Sequence, residues 1–118
     1  MQAADKIAVV EKYVQAFARN DMSLIEEIYA DDATVEDPVG SDALRGKAAV
    51  VVFYQQAFNS GAKLELTGPA RCAGNAVAFP FCVNVGTMKV DAIDVFEFNS
   101  AGKVVTMRAY WGPENVTV

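Results

Sequence analysis

An α+β fold follows from three features of the 118-residue sequence. Apolar residues recur at helical spacing only as far as Phe58, and from Lys63 onward they alternate at the spacing of strands. Gly74-Asn75, Gly86-Thr87 and Asn99-Ser100-Ala101-Gly102 then cut that second half into hairpins. Helices first and strands after predict three N-terminal helices packed in the concave face of a strongly curved, mainly antiparallel sheet, with a conical pocket between the layers. At this length one domain, residues 1–118, is expected, without a second independent core.

Each element has its own signal. From Ala4 to Arg19, Ile7, Val10, Val14 and Phe17 fall on one helical stripe, and Tyr13 shares it. Asn20-Asp21 breaks the pattern. Ser23-Leu24-Ile25-Glu26 has the form of a capping box and predicts a short second helix to Tyr29 or Ala30, with Tyr29 on its apolar side. Residues 31–40 turn out of the helix into a short extended piece, where Pro38 keeps Asp37 away from helical dihedrals, at a strand end or in a loop. A third helix runs from Gly46 to Phe58 with Val50, Phe53, Tyr54 and Phe58 in phase, and Asn59-Ser60-Gly61 ends it.

The strands follow in order. Lys63–Thr67 alternates, and Gly68-Pro69 marks a bulge or bend before Ala70–Ala73. Phe79, Phe81, Val83 and Val85 line one face of the next strand. The last strand spans Lys103 to Trp111, with Val105, Met107, Ala109 and Trp111 on one side. Between these two lies Val90–Phe98, in which Val90, Ala92, Asp94, Phe96 and Phe98 share a face. A carboxylate among those apolar neighbours would lose its hydration, so Asp94 either reaches water or a cation at an edge or stays protonated. A protonated carboxyl in a pocket donates a hydrogen bond to a substrate oxygen gaining negative charge.

Composition narrows the chemistry. The chain has no histidine, which removes Ser-His-Asp and Cys-His catalysis and the usual His-containing metal sites. Acid–base work near neutral pH is left to carboxyls, tyrosines, lysines or cysteines with shifted pKa values. A net charge of −5 and a pI near 4.6 argue against nucleic acid and anionic membranes as partners. No apolar run approaches the roughly 20 residues that span a bilayer, and Asp5, Lys6, Glu11 and Lys12 are unlike a signal peptide, so a cytoplasmic protein is expected. Cys72 and Cys82 read as reduced, packed thiols. The hydrophobic share of 53% is high for this size and points to a ligand cavity or a subunit interface.

Several stretches then resemble one family. Ala8–Val14, Tyr29–Gly40 with its run Ala30-Asp31-Asp32-Ala33-Thr34-Val35-Glu36-Asp37-Pro38, Phe53-Tyr54, Ile93–Phe98 and Thr106–Trp111 resemble, in order, the ketosteroid isomerases of the nuclear-transport-factor-2-like, or SnoaL-like, superfamily. The resemblance implies isomerisation of 3-oxo-Δ5-steroids to conjugated 3-oxo-Δ4-steroids without metal or other cofactor, by a homodimer. It implies Asp37 as general base, Tyr13 and Asp94 as oxyanion hole, and Tyr29 and Tyr54 as a hydrogen-bonded chain behind Tyr13. Phe17, Phe79, Phe81, Phe96, Met107 and Trp111 would line the steroid pocket, with Trp111 near the base. Ketosteroid isomerases are themselves the standard illustration of one aspartate kept ionised and another kept protonated, so that division comes from the resemblance. The residues add that Asp37 follows Glu36 in a polar turn whereas Asp94 sits on an apolar strand face.

Taken singly, Tyr13 is also an ordinary core-edge tyrosine, Asp37 an Asp-Pro turn residue, and the aromatics ordinary core. The superfamily also holds polyketide-type cyclases, epoxide hydrolases and non-catalytic binders of apolar ligands. A hydrolase would need water-positioning polar residues, for which Arg71 and Arg108 are available. Ile93 and Val95, on the face opposite Asp94, are the candidates for a dimer interface.

Overall fold

The computed structural model describes residues Met1–Val118. Helix α1 (Ala3–Arg19) buries the stripe Val10, Tyr13, Ala16 and Phe17 and stops at Asn20 in the left-handed region, φ 51°. Helix α2 (Met22–Ile28) is capped by Asp21, whose side chain accepts from the Ser23 N–H at 3.0 Å. Ser23 lies inside that first turn, so the expected Ser23–Glu26 capping box is not the one that opens the helix. The helix also ends one or two residues early. Lys47 and Lys103 donate to the carbonyls of Glu26 (2.9 Å) and Glu27 (2.7 Å), satisfying its last turn. Tyr29 thereby becomes the first residue of a strand.

Strand β1 (Tyr29–Glu36) pairs with β2 (Leu44–Arg45), and α3 (Lys47–Asn59) follows, with Gly46 as its N-cap. Then come β3 (Lys63–Leu66), β4 (Arg71–Ala73), β5 (Ala76–Val85), β6 (Met88–Phe98), β7 (Val104–Tyr110), a 3-10 turn over Pro113–Asn115, and β8 (Val116–Thr117). The sheet runs β2-β1-β7-β6-β5-β3, with β4 also on β5 and β8 on β6. Every pairing is antiparallel except β1 with β7, so the sheet is mixed. β3 and β4 follow one another along β5, with the Gly68-Pro69 bend between them.

The hairpins β5–β6 and β6–β7 carry the site. Their register sets Asp94 between Phe79 on β5 and Ala109 on β7. A bulge corrects one expectation. Glu97 faces Thr106 while Phe98 faces Val104, which leaves Val105 as the extra residue. Val104 is therefore the fully buried neighbour, and Val105, expected on the inner face, is only half-buried. α1 packs against β3 and β5 and α3 against β1, closing the core from one side of the sheet. Cys72 and Cys82 are free and largely covered. No helix is long and apolar enough to cross a membrane.

Candidate active site

Four elements converge on the inner end of the site: α1 brings Tyr13, β1 Tyr29, α3 Tyr54 and β6 Asp94. The Tyr54 hydroxyl sits in the middle, 2.9 Å from that of Tyr13 and hydrogen-bonded also to that of Tyr29. If the donor direction runs Tyr29 to Tyr54 to Tyr13, the Tyr13 proton is left free for the cavity. Burial pushes all three hydroxyls well above the ordinary tyrosine range, and neighbouring anionic groups push the same way. The Tyr13 ring is clamped edge-on by Phe96, at 5.1 Å between centroids, and by Phe79 at 5.9 Å.

Asp94 occupies the apolar face that its alternation predicts. It is 1% exposed, and neither carboxyl oxygen has a hydrogen-bond partner within the chain. Burial pushes its pKa well up, the charge of Asp37 adds to that, and only the neighbouring Tyr13 hydroxyl pulls the other way. A carboxyl so placed keeps its proton at pH values where a solvated aspartate has lost it, and both of its oxygens remain free to meet a ligand.

Asp37 follows directly on β1 and is half-buried. Its Oδ1 accepts a hydrogen bond of 2.6 Å from the Trp111 indole Nε1. Burial raises its pKa, and the indole N–H, which favours the charged form, opposes that rise.

Two chambers of one cleft join these groups. The inner one, about 120 Å³, is lined by Tyr13, Tyr54 and Asp94 together with Phe17, Phe53 and Leu64. The outer one, about 150 Å³, is lined by Val90, Ala92 and Trp111. Asp37, Phe81 and Val83 line both, so Asp37 stands where the chambers meet. Of the expected wall residues, Phe17, Phe81 and Trp111 face the cleft. Phe79, Phe96 and Met107 do not, being 0%, 0% and 1% exposed in the core, the first two packed against Tyr13. Tyr29 likewise stands behind Tyr54, off the wall. Val83, Val90 and Ala92 went unpredicted as wall residues, although their alternation with Phe81 and Asp94 marks the same face.

Other polar chemistry lies elsewhere. Arg71 is exposed on β4, and Arg108 ion-pairs with Glu97 at 2.5 Å on the sheet's other face, so neither reaches the cleft. No three His, Cys, Asp or Glu side chains gather as metal ligands.

Comparison with known proteins gives the family. Residues 10–107 match the family described as the SnoaL-like domain. A steroid Delta-isomerase of Nocardioides simplex is 38% identical over 120 residues, covering 98% of this chain and 97% of that protein. The solved structure of SalBIII, an epoxide hydrolase/cyclase-like enzyme of pyran ring formation in the polyether salinomycin, is similar with a TM-score of 0.92 and 27% identity, covering 100% of this chain and 99% of that one. The chain belongs to the SnoaL-like family, with its nuclear-transport-factor-2-like α+β fold, and within it is a homologue of a steroid Delta-isomerase.

Proposed function

We propose that this protein is a cofactor-independent steroid Δ5-isomerase, converting 3-oxo-Δ5-steroids into conjugated 3-oxo-Δ4-steroids. One observation carries the reading: an apolar cleft with an unpartnered, buried Asp94 beside Tyr13 at its inner end and Asp37 on its wall. The steroid's carbonyl enters first, toward Tyr13 and Asp94. Asp37, as carboxylate, removes a proton from the carbon next to that carbonyl. The C–H electron pair becomes a new C=C, and the carbonyl π pair moves onto oxygen, giving a dienolate. Asp37 then returns the same proton two carbons further along, and the double bond ends in conjugation with the restored carbonyl.

The inner donors favour the charged intermediate over the neutral ketone because they are fixed in a site without bulk water. Tyr29 supports Tyr13 through Tyr54. Phe17, Phe81, Val83 and Trp111 supply apolar contact for the steroid rings. The reading includes the closure of the sheet into a cone around the helices, one domain and a cytoplasmic location. It also includes a homodimer through the outer sheet face, where Ile93 and Tyr110 are each 48% exposed beside half-buried Val95.

An epoxide hydrolase is disfavoured because neither Arg71 nor Arg108 faces the cleft to help position water. A non-catalytic binder has no use for Asp37 held at the junction of the chambers. The direct test is conjugated-enone absorbance when purified protein meets 5-androstene-3,17-dione without additives. Absorbance should rise with wild type and fall by several orders of magnitude in rate with Asp37→Asn, which keeps the shape and removes the base. No signal from wild type at high protein concentration would reject the isomerase.

A further inference from the structure

The loop that carries Asp37 is held by an acceptor outside the cleft. Val35 is buried, so alternation along β1 directs Glu36 to the opposite face, while Asp37, the next residue, lines the cavity. The Glu36 Oε2 accepts the backbone N–H of Gly40 at 2.9 Å, closing residues 36–40 into a ring. Gly40 presents that N–H from φ +101°, a conformation that side-chain-bearing residues rarely adopt. Arg108, the register neighbour of Glu36 on β7, is committed to Glu97, so the Glu36 carboxylate makes no ion pair within the chain. Its one hydrogen bond goes to the loop.

Three further bonds fix the same segment: Val39 N–H to the Ala109 carbonyl at 2.8 Å, and the Ser41 N–H and hydroxyl to the Pro38 carbonyl at 3.1 and 2.6 Å. All of these hold backbone, whereas the Trp111 indole alone holds the Asp37 carboxylate. A base that takes a proton at one carbon and returns it at another must be confined on a small arc, and misplacement by about 1 Å can cost about 100-fold.

We propose that Glu36 is a positioning residue, whose carboxylate clamps the Gly40 N–H from outside the cleft and so limits where the Asp37 carboxylate can reach. This rests on the isomerase reading for its kinetic consequence, but the clamp has a readout of its own. Trp111 is the only tryptophan, so its emission reports directly on contact with Asp37.

The test uses the full chain with Glu36→Ala, Glu36→Gln and Glu36→Asp, following enone formation, binding of estradiol as a phenolic mimic of the dienolate, and Trp111 emission. Glu36→Ala should lower kcat about 10- to 100-fold with KM and estradiol affinity within about twofold of wild type. Its emission should shift toward that of Asp37→Asn. Glu36→Gln keeps a neutral acceptor at the same reach and should recover kcat to within about threefold, whereas Glu36→Asp, one methylene short, should not. Unchanged kcat and emission in Glu36→Ala would overturn the proposal. So would matched losses of turnover and estradiol binding that Glu36→Gln fails to rescue. If the wild type forms no enone yet Glu36→Ala still moves the emission, the clamp stands and the isomerase reading falls.

Discussion

Replacing Asp94 with Asn separates the stability cost of a buried carboxyl from its use. In the folded chain this group is buried and has no partner for either oxygen, and its pKa is pushed well up, chiefly by burial and then by the charge of Asp37. In the unfolded chain it ionises at about pH 3.9, like any aspartate. Between that pH and the higher one at which the folded group ionises, the folded state binds one more proton than the unfolded state. Stability therefore falls with rising pH by up to about 1.4 kcal/mol per unit from this group alone. Its favourable contribution is complete below the unfolded pKa and is lost as pH rises through the folded one.

Asn has a similar shape and no such slope. The advantage of Asp94→Asn over wild type should thus grow by up to about 2.7 kcal/mol between pH 5.5 and pH 7.5. Asp37, whose pKa is also raised, contributes its own slope to both proteins, and most of that cancels in the difference. Urea unfolding at pH 5.5, 6.5 and 7.5, at one protein concentration, measures the difference by linear extrapolation. A plateau within that range would locate the pH at which folded Asp94 ionises. Parallel stability curves across that range would mean that folded Asp94 has already lost its proton below pH 5.5, and the account of the inner site would fail.

Trp111→Phe removes the N–H that favours the Asp37 carboxylate, so the acid limb of kcat/KM should move to higher pH; a limb unmoved or moved down would show that the 2.6 Å bond does not tune the base. Tyr13→Phe should lower kcat by about 100- to 1,000-fold, as removal of an oxyanion donor does elsewhere, and full turnover in single-turnover measurements would discard it as a donor. Tyr54→Phe leaves the Tyr13 and Tyr29 hydroxyls without the partner that links them, and urea unfolding should show a loss of about 1–3 kcal/mol for each left unsatisfied. Ile93→Glu places a charge on the outer sheet face and should convert a dimer to monomer in sedimentation velocity; a wild-type monomer at micromolar concentration would remove the dimer from the proposal.

Local patterns carried the features that depend on a side chain's face. The period-two run Val90–Phe98 marked Asp94 as a carboxyl on an apolar face, and the helical stripe through Val10, Tyr13 and Phe17 aimed Tyr13 at the same interior. Depth was not legible in this way. Phe79, Phe81 and Val83 share a face of β5, but Phe79 lies against Tyr13 of α1 while Phe81 and Val83 face open space. Which residue becomes core and which becomes wall depends on where a distant helix covers the strand. The parallel β1–β7 pairing was hidden for a similar reason, since a strand carries no mark of its partner's direction. The two-residue strands β2 and β8 are too short to show a period. At α2 the Ser23–Glu26 pattern pointed to a cap at Ser23, whereas Asp21, legible only as part of a break, holds it.

In the proposed reaction, the placement of the two aspartates gives the cleft a way to manage charge. Before proton transfer the negative charge rests on Asp37, which keeps an indole N–H and partial exposure to water. That same charge adds to burial in raising the Asp94 pKa, so the ionised base favours the donor state at the inner end. When Asp37 takes the substrate's proton, its charge disappears and one appears on the steroid oxygen beside Asp94 and Tyr13. The cleft holds a single negative charge throughout, and chemistry moves it from the wall to the donors. On the proposed mechanism Asp94 need not ionise at any stage, and its unpartnered carboxyl, costly to the fold, stands where the transferred charge would arrive.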